Sequence, residues 1–134
     1  MTEAMNIPQV PSRPAVLIVE DNFLVGVMIA SLVRKMGYQV VGPVPSVDKG
    51  LHAARSMELA GAVLDINIRG GTSEDIALEL ESRGVPFFFV TGYASPLLIS
   101  EKLKATLRLS KPVNEGEFKT AVGSRFLGIT GRGA

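Results

Sequence analysis

The stretch Ala15-Val16-Leu17-Ile18-Val19-Glu20-Asp21 decides the fold class. Five apolar residues run on without alternation and stop abruptly at two acids. A strand that is apolar at every position is buried on both faces, as happens where helices cover both sides of a parallel sheet. Helical spacing follows at once: Leu24, Val25, Met28, Ile29, Leu32, Val33 and Met36, with Gly37 placed to end the helix. On a helical wheel these residues span about half the circumference, more than the ~100° stripe a surface helix needs. Either a tight core takes the whole face, or part of it meets a partner. Phe23 and Val27 fall on the polar side of the same helix and add to the surface open to a partner.

The alternation continues toward the C-terminus. Tyr38 to Val41 reads as a second strand, closed by Gly42-Pro43, and Ser46 caps a helix running to about Met57. Ala60 to Leu64 is a third strand, again ending in an acid, Asp65, and Gly70-Gly71 is a loop. Thr72 with Asp75 three residues later resembles a capping box, opening a helix that Gly84 ends. Val85 to Val90 is a fourth strand, Pro96 to Leu103 a weaker helix, Thr106 to Leu109 a fifth strand, and Glu115 to about Leu127 a last helix. Strands alternating with helices throughout predict an α/β fold, a doubly wound parallel sheet with helices on both faces. Pro8, Pro11 and Pro14 among polar residues mark 1–14 as a flexible arm, leaving 15–127 as one folded domain and 128–134 as a flexible tail.

Composition narrows the function. The 134 residues are 46% hydrophobic and 20% charged, the balance of an ordinary globular domain. Lys plus Arg number 14 against 13 for Asp plus Glu, with no basic stripe, so no nucleic-acid partner is expected. No apolar run reaches the roughly 18–20 residues that span a bilayer, and the first residues lack the basic start and apolar core of a signal peptide. A cytoplasmic protein without membrane contact is expected. The absence of Cys excludes disulfides, thiolate nucleophiles and zinc–sulfur sites, and a single His, His52, excludes His-rich metal sites. His52 itself reads as a solvated helix residue, and Gly70-Gly71 is no P-loop because no Gly-Lys-Ser/Thr follows it.

In open parallel α/β sheets, ligands bind at the carboxyl ends of the strands. Here those ends carry Glu20-Asp21, Asp65, Thr91 and Ser110-Lys111, on strands that are otherwise almost wholly apolar. Three carboxylates gathered there would repel one another without a cation, and hard oxygen ligands select Mg²⁺. A carboxylate is also a nucleophile toward phosphorus, Lys111 offers a point charge for phosphoryl oxygens, and Thr91 offers a hydroxyl donor. Phosphoryl transfer needs little more than such positioning and charge neutralisation.

At these residues the chain resembles the receiver domains of two-component response regulators. The resemblance runs from Ala15 to about Leu127 and rests on four motifs in order. These are Glu20-Asp21, Asp65 with Asn67 two beyond it, Thr91-Gly92, and Lys111-Pro112. It implies the flavodoxin-like strand order 2-1-3-4-5. It implies Asp65 as phosphoacceptor, Asp21 as direct Mg²⁺ ligand, Glu20 as ligand through water, and Asn67 as ligand through its backbone carbonyl. Thr91 becomes the switch hydroxyl and Lys111 the phosphate-binding lysine, with a Lys111-Pro112 bond that is often cis. Two departures stand out. The family's aromatic switch position holds Arg108, and Phe89-Val90-Thr91-Gly92-Tyr93 resembles the subgroup with Phe-Ala-Thr-Gly-x-Tyr, with Tyr93 one residue early. On this reading phosphorylation reorganises mainly the loop from Thr91 to Pro96 and the following helix, Tyr93 takes over the response, and Arg108 stays solvent-facing as a partner contact.

The implied partner is a histidine kinase or a histidine phosphotransfer protein, and a homodimer is compatible with the pattern. The implied role is regulatory rather than enzymatic, with output through protein contacts, since no helix-turn-helix segment follows. Two rival readings remain at this level. A pseudo-receiver would keep the fold and signal without phosphate; the intact set Glu20, Asp21, Asp65, Thr91 and Lys111 opposes it. An aspartyl phosphatase would need a second Asp two residues after the nucleophile, where this chain has Asn67.

Overall fold

A computed structural model describes residues 13–92 and 100–126. Its elements are β1 (Ala15–Val19), α1 (Phe23–Lys35), β2 (Gln39–Val44), α2 (Val47–Ser56), β3 (Gly61–Leu64), β4 (Asn67–Ile68), β5 (Gly71–Thr72), α3 (Glu74–Ser82), β6 (Phe87–Thr91), β7 (Arg108–Ser110) and α4 (Glu115–Arg125). The main sheet has the order β2-β1-β3-β6-β7, and all its pairings are parallel. With the short β4–β5 hairpin set aside, this is the expected 2-1-3-4-5 order.

The unbroken apolar strands follow from two separate cores. Side chains alternate across a strand, so Val16 and Ile18 face one helix layer while Leu17 and Val19 face the other. The first layer is α1 and α4, which supply Ile29, Val33, Phe118 and Val122 against Val63, Phe88 and Val90. The second is α2 and α3, which supply Ala54, Ile76 and Leu80 against Leu64 and Phe89. At the far end of α4, Phe126 stacks on Phe88 with ring centroids 5.4 Å apart and meets Tyr38 edge-on at 6.3 Å. Gly61 makes room for that ring, because any Cβ there would overlap it. Three helices begin at side-chain caps: Asn22 Oδ1 accepts from the Val25 amide, Ser46 Oγ from Lys49, and Asn114 Oδ1 from Glu117.

The wide apolar stripe of α1 is not all taken by the core. Ile29, Leu32 and Val33 are buried, but Leu24 and Met28 join Phe23 and Val27 at the surface, with Phe23 79% and Leu24 74% exposed. Three local expectations are corrected. Gly42-Pro43 does not close β2; the strand runs on to Val44 through a register shift against β1. Gly42 turns with φ +102°, and on an edge strand the missing proline N–H leaves no neighbour unpaired. Gly70-Gly71 is not plain loop, because Asn67–Ile68 and Gly71–Thr72 pair antiparallel around it. Thr72 does not cap α3 as a box: the cap position is Ser73, and Thr72 Oγ1 accepts from the Glu74 amide at 3.3 Å. Of the helix expected over 96–103, the described part is a 3₁₀ turn, Glu101–Leu103; residues 93–99 lie outside the described residues. The expected arm and tail also lie outside them, except Arg13 and Pro14. No helix among the described residues is long and apolar enough to cross a membrane.

Candidate functional site

The site is assembled by backbone bonds at the carboxyl ends of β1, β3, β6 and β7, four neighbouring strands. The Glu20 amide donates to Val44 O at 2.9 Å and the Asp65 amide to Val19 O at 2.9 Å, which fixes both acids where β1 and β3 stop. One strand further along, the Lys111 amide donates to Thr91 O at 3.0 Å. Glu20, Asp65 and Thr91 are buried, at 3%, 8% and 4% exposure, whereas Asp21 is open to solvent. One carboxylate oxygen from each of Glu20, Asp21 and Asp65 lies within 4.8 Å of the others, a spacing that could hold a metal ion. All three are hard oxygen donors, and the exposed Asp21 leaves a side open to water, which suits Mg²⁺ because that ion keeps several waters.

Lys111 is the counter-charge. Its Nζ stands 2.8 Å from Glu20 Oε1 and 3.1 Å from Asp65 Oδ2, so one ammonium bridges two buried acids. The Lys111-Pro112 peptide is cis. Burial alone would pull the Lys111 pKa down, but its pairing with the Glu20 and Asp65 carboxylates outweighs that and holds it above its ordinary value. Glu20 moves up too. Burial drives the rise and the Asp65 charge adds to it, against the lowering pull of Lys111 and the Asn22 amide. Asn22 escaped the sequence reading, although an Asn just before an apolar helical run is a cap signal. It does double duty: its side chain caps α1 while its amide donates to Glu20 Oε2 at 3.1 Å.

The other expected residues are placed with mixed outcomes. Asn67 is exposed at the start of β4, two residues past Asp65. Arg108 is half-buried on β7, in register with Phe89, rather than fully in solvent. Tyr93 lies outside the described residues. His52 is exposed on α2. A surface cleft of about 610 Å³ lined by Arg13, Gln39, Met57 and Val85 opens at the amino ends of the strands and holds none of these groups, so cleft size does not locate the chemistry here.

A five-stranded parallel sheet of order 2-1-3-4-5 covered by helices has counterparts among solved structures. The receiver domain of the PhyR response regulator from Erythrobacter litoralis superposes with a TM-score of 0.75 at 24% identity, covering 84% of this chain and 89% of that one. The chain has a receiver-domain fold. The SdrG structure from Pseudomonas melonis, in its BeF3-activated conformation, gives a TM-score of 0.67 at 28% identity over 86% of this chain and 98% of that one. The receiver domain of the sensor histidine kinase PA1611 from Pseudomonas aeruginosa, solved with a magnesium ion in its active-site cleft, gives 0.69 at 20% identity over 84% and 97%. No protein-family model matches the sequence, and no curated protein is similar to it. In this receiver fold the acidic cluster occupies the strand-end position at which open α/β sheets bind their ligands.

Proposed function

We propose that this protein is a phosphoacceptor receiver of a two-component or phosphorelay system, with Asp65 as the residue phosphorylated. The observation that carries the proposal is the convergence of Glu20, Asp21 and Asp65 within 4.8 Å, bridged by the Lys111 ammonium. Mg²⁺ would be held directly by Asp21, Asp65 and the Asn67 carbonyl and through water by Glu20; when bound it would neutralise charge on the phosphoryl oxygens. An Asp65 carboxylate oxygen forms a bond to phosphorus as the phosphorus–nitrogen bond of a phosphohistidine donor breaks, the electron pair leaving with the imidazole. Lys111 then turns from its two carboxylates toward the phosphoryl oxygens, and the buried Thr91 hydroxyl follows as the switch. Tyr93 responds in place of the usual aromatic residue, and Arg108 serves as a partner contact.

The donor is a histidine kinase or histidine phosphotransfer protein in the cytoplasm, and output passes through protein contact. The exposed apolar residues of α1 next to the acid cluster support that reading, since apolar side chains grouped at a surface mark contact sites. The test is intact mass after incubation with Mg²⁺ and a small acyl-phosphate donor. The protein should gain one phosphoryl group, and Asp65→Asn, nearly isosteric but without a carboxylate, should gain none. Undiminished labelling of Asp65→Asn would reject the assignment.

A further inference from the structure

The Glu20 carboxylate ends a flexible stem, and its position depends on what packs against that stem as well as on what binds its oxygens. A Cβ added to the buried Gly26 would stand 2.9 Å from both Cβ and Cγ of Pro43 and 3.7 Å from Cγ of Glu20. Helix α1, the pyrrolidine ring and the Glu20 stem therefore converge on a space that admits no further carbon. Pro43 is in turn coupled to Glu20 through the backbone, because the next residue, Val44, offers the carbonyl that accepts the Glu20 amide. The turn that delivers Pro43 is itself restricted. Gly42 has φ +102°, and a Cβ there would stand 2.7 Å from Ile18 O and from the Val44 amide nitrogen.

We propose that Gly26 and Pro43 are positioning residues for Glu20: the ring, seated against the bare helix backbone, holds the end of β2 so that Val44 and the Glu20 stem stay in register with Asp65. Moving Pro43 outward moves the Val44 carbonyl, and with it the acid. The functional consequence rests on the reading of the cluster as a Mg²⁺ site, while the positioning itself does not.

The test uses the full chain, with Mg²⁺ as the only added ligand. Ala is the better helix former, so Gly26→Ala isolates the contact from helix propensity. The variant should shift the Glu20 amide and side-chain carboxyl resonances without metal, and weaken Mg²⁺ affinity by about tenfold or more, the usual cost of losing a residue that orients a ligand. Pro43→Gly, which removes the ring without any clash at position 26, should give the same two changes. Gly123→Ala, on an exposed stretch of α4 where an added Cβ would meet nothing within 4 Å beyond its own helix, is the control and should change neither. A purely structural role for Gly26 would lower the unfolding midpoint and leave Mg²⁺ affinity at the wild-type value. Wild-type Glu20 resonances in Gly26→Ala would overturn the proposal. Failure of the unaltered protein to bind Mg²⁺ would instead remove the metal reading, and the resonances would still decide the positioning.

Discussion

Burial, with the Asp65 charge beside it, holds Glu20 above its ordinary value, and the Lys111 ion pair and the Asn22 amide only partly offset that rise. A carboxyl group whose pKa rises on folding favours the folded state when protonated. Its contribution is complete below about pH 4.3 and is lost as pH climbs through the raised value. Lys111 also titrates higher in the folded protein, so the stability from its ion pairs is complete below about pH 10.4 and is lost above it. Two differences in urea midpoint should expose these effects without metal. Between pH 4 and 7 the wild type should lose stability relative to Glu20→Gln; between pH 10 and 11.5 it should lose stability relative to Lys111→Met. Parallel curves in both windows would show that the cluster is not coupled as its distances indicate. These partnerships were only partly legible in the sequence. The residue types at the strand ends pointed to the site, but nothing in the spacing of Glu20 and Lys111 shows that one ammonium bridges two acids at 2.8 and 3.1 Å.

Helix α1 separates two tasks along its length. Its C-terminal half buries Ile29, Leu32 and Val33, while its first turns expose Phe23, Leu24, Val27 and Met28 immediately after the acid pair. A protein donor reaching Asp65 passes this apolar rim, whereas a small acyl phosphate does not need it. Phe23→Ser and Leu24→Ser should therefore leave small-molecule phosphorylation within about twofold of wild type and slow transfer from a phosphohistidine protein by about tenfold, the loss of roughly one well-buried contact. Equal slowing from both donors would place the defect in the site itself. The element scale also shows where sequence reading ends. Ser46 was readable as a cap because its signal is local. The link between α2 and α3 was not: the Arg83 guanidinium, at the end of α3, donates to the carbonyls of Ala54 and Met57 at the end of α2, some 26 to 29 residues away. The β4–β5 hairpin was hidden for a related reason: beyond its own two short strands it is fixed by distant backbone, the Arg69 amide donating to Pro45 O and the Val47 amide to Arg69 O.

Over the whole molecule, a parallel sheet covered on both faces was legible because β1, β3 and β6 are almost wholly apolar and strands alternate with helices, while the strand order came from the family resemblance. The division of the core between two layers was not, since period-two alternation is invisible where every residue is apolar. The layer made by α1 and α4 closes at Phe126, which lies against Phe88, Tyr38 and the bare backbone of Gly61. Phe126→Ala should cost about 3–5 kcal/mol in urea unfolding, a large part of the ~5–15 kcal/mol that holds a domain of this size together. A loss below about 1 kcal/mol would mean that the ring is not part of the core. The same closure bears on how the protein is made. Phe88 leaves the ribosome well before Phe126, and at typical elongation speeds the gap is on the order of 2–8 s. Throughout that interval the sheet face that α4 will cover is apolar and open in the nascent chain, so the seconds before its last helix arrives are when this protein is most exposed to mispairing and to chaperones.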